Sequence, residues 1–179
     1  MRLMDILKKN KKTDDGISRE LSEDNLDKMI EMEKNVYPSY LWEWQSRMSW
    51  DSIASYLECS KDDIIFMMGE DWYMLAAKCK ADDEFPSDHI YVADLASLNR
   101  GSANVIKVAH ELKSFDLPIT LYAREETTYR LIKGLARREL ITILDEDEGI
   151  HFTEETTHSV TFVQGHHPEL IEQLSGRSF

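Results

Sequence analysis

A chain of 179 residues with 34 acidic and 21 basic side chains has a formal net charge of −13. That excludes broad, sequence-independent binding to nucleic acid, which needs Lys and Arg to neutralise phosphates. Hydrophobic residues at 42% and charged residues at 31% suit a globular domain with a sizeable core, and no apolar run approaches the roughly 20 residues of a membrane helix.

Residues 1–15 read as a separate basic arm. Leu3, Met4, Ile6 and Leu7 share a short apolar face, and Lys8, Lys9, Lys11 and Lys12 follow. A docking helix and a mobile tail are both open for such a terminus. The apolar patch is too short for a secretory signal and lacks a small-residue cleavage site, so cytoplasmic residence is expected. Gly16 to Leu21 is a candidate short strand. Ser22 is a plausible N-cap for a helix carrying Leu26, Met29 and Ile30 at helical spacing, with acids in its first turn. Pro38 ends that helix. An aromatic loop, YPSYLWEWQSRM, leads to a second helix starting near Ser49, with Trp50, Ile53, Ala54 and Leu57 on one face.

Two apolar runs, Asp63–Met68 and Trp72–Lys78, flank Gly69-Glu70-Asp71 and read as an antiparallel hairpin. An acidic linker leads to the strand His89–Ser97. The turn Leu98-Asn99-Arg100-Gly101-Ser102 then joins that strand directly to a helix bearing Val105, Ile106, Val108, Ala109 and Leu112. Unpaired N–H groups and a helix dipole at the end of a strand suit a phosphate or other anion. Leu117–Tyr122 is the next strand. Tyr129, Ile132, Leu135 and Ala136 mark another helix. Ile141–Leu144 and His158–Gln164 form a final antiparallel pair, whose connection carries the acidic run Asp145-Glu146-Asp147-Glu148. A short helix, Pro168–Leu174, closes the chain.

The order β-α-α-β-β-β-α-β-α-β-β fits one α/β (α+β) domain over residues 16–179, with a mixed, mostly antiparallel sheet flanked by helices. Cys59 and Cys79 give no framework and no CxxC spacing, and read as reduced thiols. His151 and His158, with Glu154 and Glu155, lack metal-motif spacing and are expected in solvent, so no metal is expected. The acid runs at Asp82-Asp83-Glu84 and Asp145–Glu148 read as solvated loops, or as attraction for a basic partner or a cationic, amine-bearing substrate. Strict alternation along His89–Ser97 sets Tyr91, Ala93 and Leu95 on one face and Val92, Asp94 and Ala96 on the other.

This element order is similar to that of the GNAT acetyltransferase superfamily over about residues 16–164. MEKNVYP with its aromatic loop and second helix looks like the family's acceptor-site helices. IIFMMGEDWYMLAAK looks like its central meander. YVADLASLNRGSANVIKVAHEL resembles its strand, pyrophosphate turn and helix, and LPITLYAREETTYRLIKGLARREL its following strand and helix. The resemblance implies acetyl-CoA as donor and an amine of a protein or small molecule as acceptor. Backbone groups at Leu95, Ala96 and Ser97 would hold the pantetheine and thioester. Arg100, Gly101, Ser102, Ala103 and Asn104 would meet the pyrophosphate. The family's R-G-x-G-x-G keeps only Arg100-Gly101 here, and Ala103 and Val105 stand where glycines let the backbone approach phosphate. Leu135 stands where the family often has an acidic tyrosine; Tyr129 lies earlier on that helix as a substitute.

Acyl transfer to an amine needs a proton acceptor. Glu33, Asp94 and His89 are the candidates, with a solvent-facing helix position for Glu33 and a structural role for His89 as the plainer readings. Asp94 interrupts an apolar strand and needs a partner if buried. Tyr37, Tyr40, Trp42 and Trp44 are candidates to line an acceptor pocket, since aromatics suit an amine, or else anchor the loop in the core. The competing expectation is a catalytically silent protein of the same fold used for binding or assembly. Such copies occur among small bacteriophage proteins, and LPITLYA followed by a YRLIK helix is similar to them; host cytoplasm or virion would then be the location.

Overall fold

The computed structural model describes residues 16–83, 85–99, 102–124, 126–139, 141–150 and 156–164. The basic arm, the Arg100-Gly101 pair and the expected closing helix at Pro168–Leu174 lie outside them.

Helix α1 spans Glu23–Val36. Ser22 caps it by accepting from the Asn25 amide, and Glu23 and Asp24 occupy its first turn, where carboxylates favour the helix dipole. The Asn25 side chain donates to Ser18 Oγ and to Glu20 O, fixing the entry of the chain. Helix α2, Trp50–Tyr56, is capped in the same way by Ser49. Strands β1 (Ile64–Met68) and β2 (Trp72–Cys79) form the expected hairpin. Gly69 is required at its turn, because a Cβ there would sit 2.0 Å from Trp72 Nε1. Strand β3 (His89–Ser97), helix α3 (Ser102–Lys113), strand β4 (Ile119–Ala123) and helix α4 (Glu126–Arg137) follow, then strands β5 (Ile141–Ile150) and β6 (Thr156–Gln164).

The six strands lie in the order β1-β2-β3-β4-β6-β5. Among the described residues only β3 and β4 pair in parallel, across the α3 crossover. The result is three layers. On one face Leu26, Met29 and Met32 of α1 and Trp50 and Ile53 of α2 pack on Phe66, Tyr73, Leu75 and Ala93. On the other, Val108 and Leu112 of α3 and Ile132 and Leu135 of α4 pack on Met74, Val92, Ile119 and Leu121. Apolar residues on both faces of β2 match a strand covered on both sides.

Three expectations are corrected. The segment 16–21 is not a strand but a single bridge, Ser18 with Met68; Gly16 takes a positive φ of 73°, and Arg19 turns to pair with Glu111 of α3 at 2.9 Å. The acidic run is not a connection. Asp145 to Glu148 continue β5 in register with Thr161 to His158 of β6, because β5 is an edge strand and tolerates charge that a central strand would not. Alternation along β3 also fails. The β2–β3 register slips between Leu75 and Ala76, so Ala93 is the extra residue of a bulge, and a bulge turns the residues after it over. Asp94 and Ala96 therefore join Tyr91 and Ala93 on the α1–α2 face, while Leu95 joins Val92 on the other.

Candidate functional site

The parallel ladder between β3 and β4 is short. It runs from Ile90 and Ile119 to Val92 and Leu121 and then stops, although β3 continues to Ser97 and β4 to Ala123. The strands part at the bulge, so β4 gives β3 no ladder partner beyond Val92 among the described residues. On the α3–α4 face the opening is apolar. Leu95, Val108, Leu121, Ile132 and Leu135 surround a cavity of about 20 Å³.

On the α1–α2 face the parted strands are tied by charge. Arg124, the residue after β4, donates from Nη2 to Asp94 of β3, and from Nη1 to Glu33 Oε2 of α1 at 2.8 Å and to Leu41 O at 2.6 Å. Glu33, Asp94 and Arg124 are 0%, 2% and 3% exposed. One cation thus faces two buried carboxylates, and neutral donors supply the rest. Asp94 also accepts on Oδ2 from the Tyr73 hydroxyl and from Trp44 Nε1 at 2.7 Å, while among the described residues its Oδ1 has only the Tyr37 hydroxyl at 3.3 Å, which that hydroxyl shares with Leu95 O at 3.2 Å. Glu33 also accepts from the Glu43 and Trp44 amides, each at 2.9 Å, and from Gln45 Nε2 at 3.1 Å. Glu33 accepts two donors on each oxygen and is saturated, since an ionised carboxylate offers about four lone-pair sites. On Asp94 three donors crowd Oδ2 and Oδ1 has the shared Tyr37 hydroxyl. Burial works against the charge on Arg124, but Asp94 foremost, with Tyr37, Tyr73 and Glu33, holds the guanidinium protonated. Its plane lies 4.2 Å from the centre of the Tyr37 ring. Burial and the Asp94 charge push the Tyr73 hydroxyl well above its ordinary range, so it stays a donor.

Beside this knot lies a more open group. Glu43 is held by its own amide on Glu33 and receives the Tyr56 hydroxyl on Oε2 at 3.1 Å. Burial raises its carboxyl above the usual range, against the lowering pull of Arg124 and of the Tyr56 hydrogen bond. Tyr91 of β3 stands nearby, and burial and the Glu43 charge push its hydroxyl up to about 12. Tyr122 of β4 acts on both Tyr56 and Tyr91. Tyr91 and Tyr122 flank the last rungs of the parallel ladder. Arg47 covers the Tyr56 ring at 4.1 Å, and Trp44 meets that ring edge-on.

The expected residues divide accordingly. Glu33 and Asp94, far apart in sequence, are brought onto one guanidinium; Glu33 is not solvent-facing. Tyr37 and Trp44 are buried in the same knot, whereas Tyr40 and Trp42 are 40% and 37% exposed, and Trp42 Nε1 donates to Tyr37 O. Tyr129 is not brought there. It lies at the β5–β6 end, hydrogen-bonded to Glu146 at 3.2 Å and stacked on His158 at 3.7 Å. His158, expected in solvent, is 3% exposed, because that stacking covers it. His89 caps locally, its Nδ1 2.9 Å from Ser87 O. Leu95, Ala96 and Ser97 line the parted edge of β3. Ser97 Oγ receives Asn104 Nδ2 at 3.1 Å and donates to Asn99 O at 2.7 Å, so the strand end and α3 are stitched together. Arg100 and Gly101 are outside the described residues, and the backbone of Ser102 and Ala103 opens α3.

Sequence reading missed Arg124, Tyr73, Glu43, Tyr56, Tyr91 and Tyr122. The one signal was Asp94 itself, a carboxylate in an apolar strand that demanded a partner. That partner lies 30 residues away, and no local spacing points to it.

A mixed sheet whose one parallel pair parts at a bulge, with two helices on each face, is the GNAT fold, and solved acetyltransferases share it. Arabidopsis thaliana NAA60 with a bisubstrate analogue is 10% identical with a TM-score of 0.56, over 84% of this chain and 99% of that one. Arabidopsis Naa50 in complex with the bisubstrate analogue CoA-Ac-MVNAL is 12% identical with a TM-score of 0.53, over 82% and 97%. Salmonella typhimurium yncA, solved with acetyl-CoA, is 10% identical with a TM-score of 0.52, over 86% and 96%. At these identities the likeness is one of fold. No protein-family model and no curated protein sequence matches the chain.

Proposed function

We propose that the protein is an N-acyltransferase that takes an acyl-CoA into the parting of β3 and β4 and an amine from the α1–α2 face. The observation that carries this reading is the ladder that ends at Val92 and Leu121 while β3 runs on to Ser97. A strand edge left without a partner strand offers backbone groups to an extended ligand; at Leu95 the carbonyl also receives the Tyr37 hydroxyl at 3.2 Å. The pantetheine arm, with its two amides, is such a ligand. Leu95, Ala96 and Ser97 would hold it, and the turn from Arg100 to Asn104 would meet the pyrophosphate at the start of α3. That acetyl-CoA and CoA bisubstrate analogues are named with the similar structures supports the same choice of donor. The bound thioester would supply an activated acyl group. The chain's part is to hold it, to orient the amine and to move protons.

A second reading, a silent protein of this fold used for binding or assembly with the basic arm as docking element, draws support from the cavity of about 20 Å³ beside the opening. That is room for about one water, so a pantetheine arm requires α3 and α4 to move apart. Calorimetric titration with acetyl-CoA separates the readings. Saturable binding that Arg100→Ala weakens supports the acyltransferase. Absence of heat and of any shift in Tm at millimolar acetyl-CoA refutes it, and a partner recovered only when residues 1–15 are present would then support the second.

A further inference from the structure

We infer that Glu43 is the group that takes the proton from the acceptor amine, and that Arg124 positions it. This deepens the acyltransferase reading and rests on it.

Three carboxylates gather on the α1–α2 face at the parting strands. Glu33 accepts four hydrogen bonds, and Asp94 takes three on Oδ2 and shares the Tyr37 hydroxyl on Oδ1. Both are sealed from an incoming amine at 0% and 2% exposure, and protonating either would weaken its bond to the buried Arg124. Glu43 differs. Its carboxylate receives one donor among the described residues, the Tyr56 hydroxyl, so most of its accepting capacity remains for an incoming ammonium. It is half-buried, whereas the other two are sealed. The groups facing it are Arg124 from the end of β4, Asp94 and Tyr91 from β3, Glu33 from α1 and Tyr56 from α2; Arg47 acts on Tyr56 from the same loop, and Tyr122 of β4 acts on Tyr56 and Tyr91. Burial and the two neighbouring carboxylates make it more basic, and Arg124 and Tyr56 moderate that. A half-buried carboxylate whose surroundings tune its proton affinity upward is suited to general-base work.

Its position is set from behind. The Glu43 amide and Arg124 Nη1 share Glu33 Oε2, and Arg124 also grips Leu41 O two residues earlier. Arg124 thereby fixes the loop that carries Glu43 relative to both parted strands. It is a positioning residue.

The step balances as follows. The ammonium passes one proton to Glu43, giving a neutral amine and a carboxylic acid. The nitrogen lone pair forms the C–N bond at the thioester carbonyl, the C–S bond breaks, and the second proton leaves nitrogen for the thiolate. Glu43 then releases its proton to water.

The test is Glu43→Gln in the full chain. Thiol release from acetyl-CoA is followed with three acceptors: a lysine peptide, a peptide with a free N-terminus, and a polyamine. The variant is expected to bind acetyl-CoA as the wild type does, to lose roughly a hundredfold in kcat with little change in KM, and to lose the acidic limb of the pH profile. Tyr56→Phe is expected to move that limb to higher pH. Retention of kcat and of the acidic limb by Glu43→Gln overturns the inference and leaves the acyltransferase reading intact. Failure of the wild type to bind acetyl-CoA overturns that reading instead. A readout besides activity is the carboxyl NMR titration of the wild type, assigned with the Glu43→Gln variant. A Glu43 signal titrating above the ordinary glutamate range supports the inference, and one at or below that range overturns it.

Discussion

Removing Arg124 should be among the most damaging single substitutions in this protein. Arg124→Met keeps the length and apolar stem but strips the guanidinium from a site where it, Glu33 and Asp94 are at most 3% exposed. Each carboxylate then loses its Arg124 donor and faces the other without an intervening cation. Leu41 O also loses its donor. Leaving a buried charge uncompensated costs about 3–5 kcal/mol, which for a chain of this size lowers Tm by roughly 10 °C. Urea unfolding followed by the fluorescence of buried Trp44, Trp50 and Trp72 measures the loss. Combining Arg124→Met with Glu33→Gln and Asp94→Asn should recover much of the loss, since neutral polar groups replace uncompensated ions. A deficit below about 1 kcal/mol would refute the view that one cation holds the two strands and the loop together.

Alkaline stability tests the tyrosine face. Tyr91 ionises at about 12 in the folded protein and near 10 when unfolded, so the unfolded state loses its proton first and stability falls as pH rises through that window; Tyr91→Phe should shrink the loss by about 2 kcal/mol, and parallel stability–pH curves for the two proteins would contradict this. Gly69→Ala should destabilise by about 1–3 kcal/mol, because the added Cβ meets the Trp72 indole at 2.0 Å and the ring is buried; an unchanged Tm would show that the ring moves aside freely.

Elements with a clear apolar period or a cap were legible in the sequence. Ser22 and Ser49 start their helices as read, Pro38 follows the end of α1, and the Gly69 turn forms its hairpin. Two strand features were not. The bulge at Ala93 is set by pairing with β2, which alternation within β3 alone does not report, and it sends Asp94 to the opposite face from the one expected. Asp145 to Glu148 read as a loop from charge alone, yet pairing with β6 draws them into a strand. The site was half visible. Glu33, Asp94, Tyr37 and Trp44 were singled out by type and position, but as acids and aromatics with separate tasks. What joins them is Arg124, supplied by β4 through a parallel crossover, and a contact made through topology leaves no spacing in the chain. Glu43 lay unremarked inside the aromatic loop because its distinction is comparative. It shares its face with two sealed carboxylates and, of the three, is the one that is both reachable from outside and lightly hydrogen-bonded.

The place of β5 at the rim of the sheet has a consequence for solubility. A rim strand offers its outer N–H and C=O groups to any extended chain that drifts alongside, including another copy of itself. Here the rim carries the acidic run Asp145-Glu146-Asp147-Glu148, with Glu146 paired to Lys133, so two copies lying edge to edge would bring two net-negative runs into one narrow seam. At the opposite rim Ser18 bonds Met68 in both directions and occupies the place a neighbour would take. One border of the sheet is guarded by repulsion and the other by its own backbone.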